Sequence, residues 1–209
     1  MNGQIVLREY RKEDRGALED IIRATWHYDE FSGPKTARRM ARVFLSSCLA
    51  NQSYTRVALM EGQPVGVIMG RKAAGCRCPL GFRLSQLAAM TSLLATREGR
   101  GVSRTFRDVD SIDKELLKES GKDYQGEVSF FAIDSRYRGM GLGKILFNAL
   151  ISYMESESVK DFYLFTDTSC NFGFYERQGM KRRGEKAHPF TLKKIKQETR
   201  FFMYDYQCR

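Results

Sequence analysis

The residues best suited to chemistry lie between Glu127 and Met180. The densest group is Arg136-Tyr137-Arg138-Gly139-Met140-Gly141-Leu142-Gly143-Lys144, three glycines alternating among three cations. Ahead of it, Val128 to Ile133 is a short apolar run rich in β-favouring residues, the pattern of a buried strand. Behind it, Leu142, Ile145, Leu146, Ala149, Leu150 and Tyr153 recur at the spacing of one helix face. Strand, glycine turn and helix N-terminus together make an anion site. The amides of the first helical turn have no partner within the helix, and the helix dipole adds positive potential where they point. Glycines let a bulky phosphate approach the backbone, while Arg136, Arg138 and Lys144 add full charges.

The spacing excludes two familiar phosphate loops. A Walker loop needs a glycine five residues before Gly143-Lys144 and a Ser or Thr after it. Arg138 and Ile145 stand at those places. Glycines at 139, 141 and 143 also fail the dinucleotide fingerprint G-x-G-x-x-G. What remains is Arg-x-x-Gly-x-Gly, from Arg138 to Gly143, between an apolar strand and an amphipathic helix. It resembles the acyl-CoA pyrophosphate loop of the GNAT N-acetyltransferase superfamily. A second stretch, Asn171-Phe172-Gly173-Phe174-Tyr175-Glu176-Arg177-Gln178-Gly179-Met180, resembles that family's Asn…Phe-Tyr-Glu-x-x-Gly-Phe signature. Met180 replaces the final Phe and keeps an apolar filler. The resemblance covers Glu127 to Tyr206 well and Ile5 to Gly70 in outline.

The resemblance implies acetyl transfer from acetyl-CoA to a primary amine, by direct attack in a ternary complex and without a metal. It implies that main-chain groups of Phe131, Ala132 and Ile133 pair with the pantetheine arm as an added strand would. Backbone amides of Arg138, Gly139, Met140, Gly141, Leu142, Gly143 and Lys144 would hold the pyrophosphate, and Asn171 would bond the CoA arm. Tyr175 would be the general acid, since a phenol carries its proton at neutral pH. The weaker alternative is a half-buried aromatic on a short helix. Glu127, five residues before Ala132, would be the base, directly or through water, or else an ordinary carboxylate at a strand start. The family lines its acceptor pocket with the loop that here runs Trp26, His27, Tyr28, Asp29, Glu30, Phe31. Asp29 and Glu30 could attract a cationic amine or simply be solvated acids. A GNAT-fold protein that binds acyl-CoA without turnover is the alternative.

Composition frames these readings. The 209 residues suit one domain spanning 1–209. A content of 42% hydrophobic and 12% aromatic residues is enough for a real core. No apolar run reaches membrane-spanning length and the N-terminus lacks a signal-peptide core, so no membrane partner and a cytoplasmic location are expected. The formal net charge of +10 suits a polyanionic ligand such as CoA. The cations are spread along the chain instead of gathered with interleaved aromatics, which argues against a nucleic-acid-binding module. Five cysteines at irregular spacing and two histidines make neither a disulfide framework nor a zinc site.

The supporting elements follow in order. Ile5 to Tyr10 reads as a strand. Leu18, Ile21 and Ile22 mark a helix, and Thr36 is placed to cap a second one with a face of Ala37, Met40, Ala41, Phe44, Leu45, Cys48 and Leu49. Tyr54 to Met60 and Val65 to Met69 form a hairpin. Residues 72–126 are far longer than an ordinary connection and read as a helical insertion. Within it Gly75 to Gly81 reads as loop. Leu84, Leu87, Ala88, Thr91 and Leu94 mark one helix, and Asp110 or Ser111 caps a second carrying Ile112, Leu116 and Leu117. The insertion could be a lid, a structural flap or a homodimer contact. Phe162 to Thr166 is a further strand. Met180 to Lys186 and Arg200 to Tyr206 are the last two, separated by a long basic loop from Ala187 to Glu198. The resulting fold class is α/β (α+β): a mixed, mostly antiparallel sheet of about seven strands flanked by helices, with a helical insertion between the third and fourth strands.

Overall fold

A computed structural model describes residues 4–73, 79–192 and 195–208. Seven strands form one sheet: β1 (Ile5–Arg8), β2 (Tyr54–Met60), β3 (Gln63–Lys72), β4 (Gly126–Ile133), β5 (Asp161–Asp167), β6 (Lys181–Leu192) and β7 (Ile195–Gln207). Their order is β1-β2-β3-β4-β5-β7-β6, and every neighbouring pair is antiparallel except β4–β5. The mixed, mostly antiparallel sheet flanked by helices is the architecture expected from the motifs.

The helices cover the sheet in two layers. On one face α1 (Arg15–Thr25), the single-turn α2 (Tyr28–Phe31) and α3 (Pro34–Ala50) bury Leu18, Ile22, Met40 and Leu45 against Val57, Val67, Met69 and Phe130. On the other face α6 (Leu142–Ser156) buries Leu146, Phe147, Leu150 and Met154 against Ile68, Phe162 and Tyr204. Each of these side chains contributes roughly 1.5–3 kcal/mol of apolar transfer. The α1 entry is fixed electrostatically. Asp14, buried at that turn, takes a bidentate pair from Arg8 at 2.7 Å and the amide of Arg11 at 2.7 Å.

The insertion between β3 and β4 carries α4 (Leu80–Leu94) and α5 (Arg97–Glu119). Their turn is tight, because a Cβ on Gly99 would lie 1.9 Å from the Leu93 carbonyl oxygen. Thr96 caps α5 by accepting the Gly99 amide at 3.1 Å. From the same first turn Glu98 reaches back to α3, accepting from the Gly33 amide at 2.8 Å and the Thr36 hydroxyl at 2.5 Å. Further along, Ile112 and Leu116 pack on Tyr163, Phe201 and Met203. Thus α5 covers the β5–β7 half of the sheet. Buried Asp205 of β7 anchors that end by accepting from Lys122, Tyr124 and Arg183.

Four local expectations change. Thr36 does not cap α3; Gly33 precedes it, Pro34 opens it, and Thr36 donates to Glu98 instead. The second insertion helix begins at Arg97, not at Asp110 or Ser111, because Thr96 supplies the cap. The final strands are longer than expected. The described part of the expected basic loop, 187–192 and 195–198, is a ribbon in which His188 pairs with Thr199 and Pro189 with Glu198. Leu80 and Gly81 belong to α4, while the rest of the expected loop, including Cys76 and Cys78, lies outside the described residues apart from Pro79. No helix among the described residues is long and apolar enough to cross a membrane.

Candidate active site

The sheet opens where the site lies. Strands β4 and β5 pair only at Gly126–Phe162 and Glu127–Tyr163. Beyond that point β4 remains paired with β3 through Ile133, and a register shift opposite Met69 and Gly70 leaves Ser129 as a bulge. One main-chain edge of β4 past Glu127 therefore has no strand partner among the described residues. Phe131, Ala132 and Ile133 on that edge line a cleft of about 350 Å³.

The glycine turn closes one end of this cleft. Gly139 and Gly141 sit at φ 82° and 81°, in the left-handed region that disfavours side chains. The first bond closing the α6 ladder at this end runs from the Ile145 amide to the Gly141 carbonyl at 3.2 Å. The amides of Leu142, Gly143 and Lys144 lie ahead of that ladder, at the positive end of a 15-residue helix. Gly143 has a packing role as well: a Cβ there would meet the Phe174 ring at 3.1 Å. Arg138, Gly139, Gly141, Leu142, Gly143 and Lys144 all line the cleft, and Met140 does not. Arg136 does not line it and is bound to Asp134 at 2.7 Å. Asn171 lines the cleft, as does Arg177, a cation the sequence reading passed over.

Tyr175 stands where two cavities meet. It lies on the five-residue α7 (Gly173–Arg177), packed on Phe131 and Phe174. With Phe131 and Cys170 it lines both the cleft and a second cavity of about 200 Å³. Burial, helped by Cys170 and Asp167, pushes its phenol well above the usual range. Burial, followed by Asp167, likewise pushes the Cys170 thiol up to about 11. Both groups therefore hold their protons at neutral pH.

The second cavity has aromatic walls and three acids. Trp26, Phe44, Phe130, Phe165 and Phe201 supply the walls, and Asp113, Glu127 and Asp167 supply the carboxylates. Glu127 Oε2 is engaged by Arg71 at 2.5 Å and by the Tyr163 hydroxyl at 3.2 Å. Glu127 also lines an outer cavity of about 430 Å³ between β3, β5 and the end of the insertion. It is thus a shared wall between the inner cavity and an opening toward solvent.

Of the expected acceptor loop, Trp26 alone lines either the cleft or one of these cavities. Its ring packs on Phe44 and Phe130. Tyr28 is buried against Phe31 and Phe106. Asp29 pairs with Arg23, and exposed Glu30 lies beside His27. Asp113, Asp167, Cys170 and Phe201 are site residues that the sequence reading missed. No group of three His, Cys, Asp or Glu side chains fit to hold a metal occurs among the described residues.

This geometry agrees with the comparisons to known proteins. The profile of the acetyltransferase (GNAT) family matches residues 17–180, and the chain belongs to that family. No curated protein sequence matches it. Among solved structures it is similar to PH1933 from Pyrococcus horikoshii OT3, with a TM-score of 0.63, 16% identity and 99% of each chain covered. It is also similar to an N-acetyltransferase from Staphylococcus aureus Mu50, with a TM-score of 0.57, 12% identity and 99% of each chain covered. The ribosomal-protein-S18-alanine N-acetyltransferase from Escherichia coli gives a TM-score of 0.54 at 13% identity, covering 98% of this chain and 94% of that one. At these identities the likeness is one of fold.

Proposed function

We propose that the protein is an N-acetyltransferase that moves the acetyl group of acetyl-CoA onto a primary amine by direct attack in a ternary complex. The observation that carries this reading is the junction of cleft and inner cavity at Phe131, Cys170 and Tyr175. A thioester in one and an amine in the other would meet there.

Each part of the cleft has a task. The amides of Leu142, Gly143 and Lys144 receive the diphosphate, with Arg138, Lys144 and Arg177 adding charge. The open edge of β4 at Phe131, Ala132 and Ile133 pairs with the amide-bearing pantetheine arm, and Asn171 bonds the same arm. One amide on that edge polarises the thioester carbonyl. The amine nitrogen forms a bond to the carbonyl carbon as the carbon–sulfur bond breaks. Tyr175 gives its proton to the departing thiolate and regains one as the nitrogen loses its own. Cys170, kept as a thiol, does not compete as a nucleophile. Glu127, held by Arg71 and Tyr163, supplies a fixed acceptor at the mouth of the amine cavity.

A free-thiol assay with acetyl-CoA and a panel of amines tests the reading, with the amide product confirmed by mass. The expected result is thiol release that depends on the amine. CoA binding without amine-dependent thiol release for any amine would replace the enzyme with an acyl-CoA-binding protein.

A further inference from the structure

The family's two motifs account for the cleft, but not for the acid that the insertion delivers to the amine cavity. Asp113 belongs to α5 and interrupts its apolar face, which runs Val109, Ile112, Leu116 and Leu117. Asp113 lines the cavity that reaches Tyr175, and its Oδ1 is buried with no hydrogen-bond partner. A buried carboxylate oxygen left without a donor is costly, and most such atoms find one. Here the cavity is the place from which a donor would come.

The other two acids of the cavity are occupied. Glu127 is held by Arg71 and Tyr163. Asp167 Oδ1 accepts from the Ser169 amide and hydroxyl. The charged groups near Asp113 are acidic: Asp110 on its own helix, Glu127 on β4 and Asp167 on β5. Lys114 is drawn to Asp110, Lys186 of β6 to Glu115 and Glu119, and Arg200 of β7 to Glu185. Burial first, and then those acids, push Asp113 up to about 7.

We infer that Asp113 is the proton acceptor for the incoming amine, so that the inserted helix completes the active site. This rests on the acetyltransferase reading above. An ammonium donates one proton to Asp113 and becomes the free amine. The amine then forms its bond to the acetyl carbon, the carbon–sulfur bond breaks, and the second nitrogen proton replaces the one Tyr175 gives to sulfur. Asp113 passes its proton to solvent, and the sum is amide, thiol and one released proton. A carboxyl titrating near neutrality is matched to this task.

The test uses the full-length protein and two readouts. With wild type, kcat should rise with pH through a limb near 7 that stays in place when acceptor amines of different basicity are used. Asp113→Asn should lower kcat by about 10²–10⁴ and abolish that limb, Asp113→Glu should recover part of the rate, and Glu127→Gln should retain the limb. A limb that survives in Asp113→Asn and vanishes in Glu127→Gln overturns the inference while leaving the acetyltransferase reading intact. Absence of wild-type turnover fails that reading first. The second readout needs no turnover. A raised carboxyl pKa means the folded chain holds an extra proton between about pH 4 and 7, so its stability falls as pH rises through that window. Asp113→Asn should therefore gain melting temperature relative to wild type between those values. A difference that does not change with pH overturns the inference.

A separate observation concerns α4. Its inner face is modest: Ala89 and Leu93 are buried, and Ser85 and Gln86 bond to Arg15 and Ser47. Its outer face carries Leu80, Leu84, Leu87, Met90 and Leu94, exposed by 79, 66, 58, 41 and 42%. The row Leu80, Leu84, Leu87, Met90 and Leu94 steps by four, three, three and four residues, which keeps it on one face of the helix. That row reads alike from either end about Leu87, so an antiparallel copy sets Leu80 against Leu94, Leu84 against Met90 and Leu87 against itself. The five side chains expose on the order of 500 Å² per protomer, so a pair would bury on the order of 1,000 Å², near the lower limit for a specific interface. Arg83 is the one charged residue of α4, which suits an apolar partner surface.

The geometry points to a two-fold homodimer formed by antiparallel α4 helices, with Leu87 on the axis. Sedimentation should show a dimer with a dissociation constant of about micromolar order, and Leu84→Glu with Leu87→Glu should give a folded monomer. Under mild oxidation Leu87→Cys should cross-link to itself beyond the parental background. Leu80→Cys should cross-link to Leu94→Cys and not to itself. A monomer at about 100 μM overturns the proposal, as does self-linking of all three positions, which would mark a parallel pair.

Discussion

Replacing Tyr175 by Phe isolates a single oxygen. The ring would remain packed between Phe131 and Phe174, with centroid separations of 6.3 and 5.5 Å. Tyr175 lines both cavities, and burial keeps its phenol protonated at neutral pH. Loss of a positioned general acid lowers a rate by about 10²–10⁴, or about 3–5 kcal/mol in the barrier. The diphosphate loop and the β4 edge are untouched, so the acetyl-CoA dissociation constant should change by no more than about twofold, worth about 0.4 kcal/mol. Stability should stay within about 0.5 kcal/mol. Thiol release gives kcat, calorimetry gives the affinity, and thermal melting gives the stability. A kcat within about threefold of wild type would remove Tyr175 from the chemistry.

Other perturbations address other parts. Gly141→Ala forces a Cβ into the left-handed region at φ 81°, should cost about 1–2 kcal/mol, and should weaken acetyl-CoA binding about tenfold by calorimetry. Gly99→Ala places a Cβ 1.9 Å from the Leu93 carbonyl oxygen, so the α4–α5 turn must open and the melting temperature should fall by several degrees. Asp205 is held lower than an ordinary carboxyl: burial opposes this, but Arg183 and Lys122 outweigh it. A depressed pKa stabilises the fold above the ordinary carboxylate range and is lost as pH falls below about 4. Asp205→Asn should therefore lower stability at pH 7 and lessen the difference from wild type at acid pH, as denaturant titrations would show.

How much was legible follows from what each segment must bury. The glycine turn, β4 and α6 were readable because their apolar periodicity matches a two-sided burial, and the glycine positions match the turn's φ values. The basic stretch looks like a loop in the sequence because the ribbon of 187–192 and 195–198 reaches beyond the sheet and requires no apolar alternation; pairing of the two strands with each other suffices. The start of α5 was hidden by Gly99 and Gly101, which lower helix propensity, although Thr96 followed by the acidic Glu98 carried a cap signal. On α4 the apolar periodicity was real but faced outward, and periodicity alone does not say which face a protein covers. Asp113 left one clue: an acid set between Ile112 and Leu116 on a face that otherwise packs. Its neighbours in the cavity come from β4, β5 and α7, distant in sequence, so that grouping required the fold.

The central claim is that the first-turn amides of α6 grip the diphosphate of a thioester carrier whose arm lies along β4. A crystal structure of the protein soaked in acetyl-CoA tests it most directly. The account predicts diphosphate oxygens within hydrogen-bonding distance of the Leu142, Gly143 and Lys144 amides, with the thioester reaching Tyr175. A diphosphate lodged elsewhere, or an empty cleft at millimolar acetyl-CoA, would contradict it.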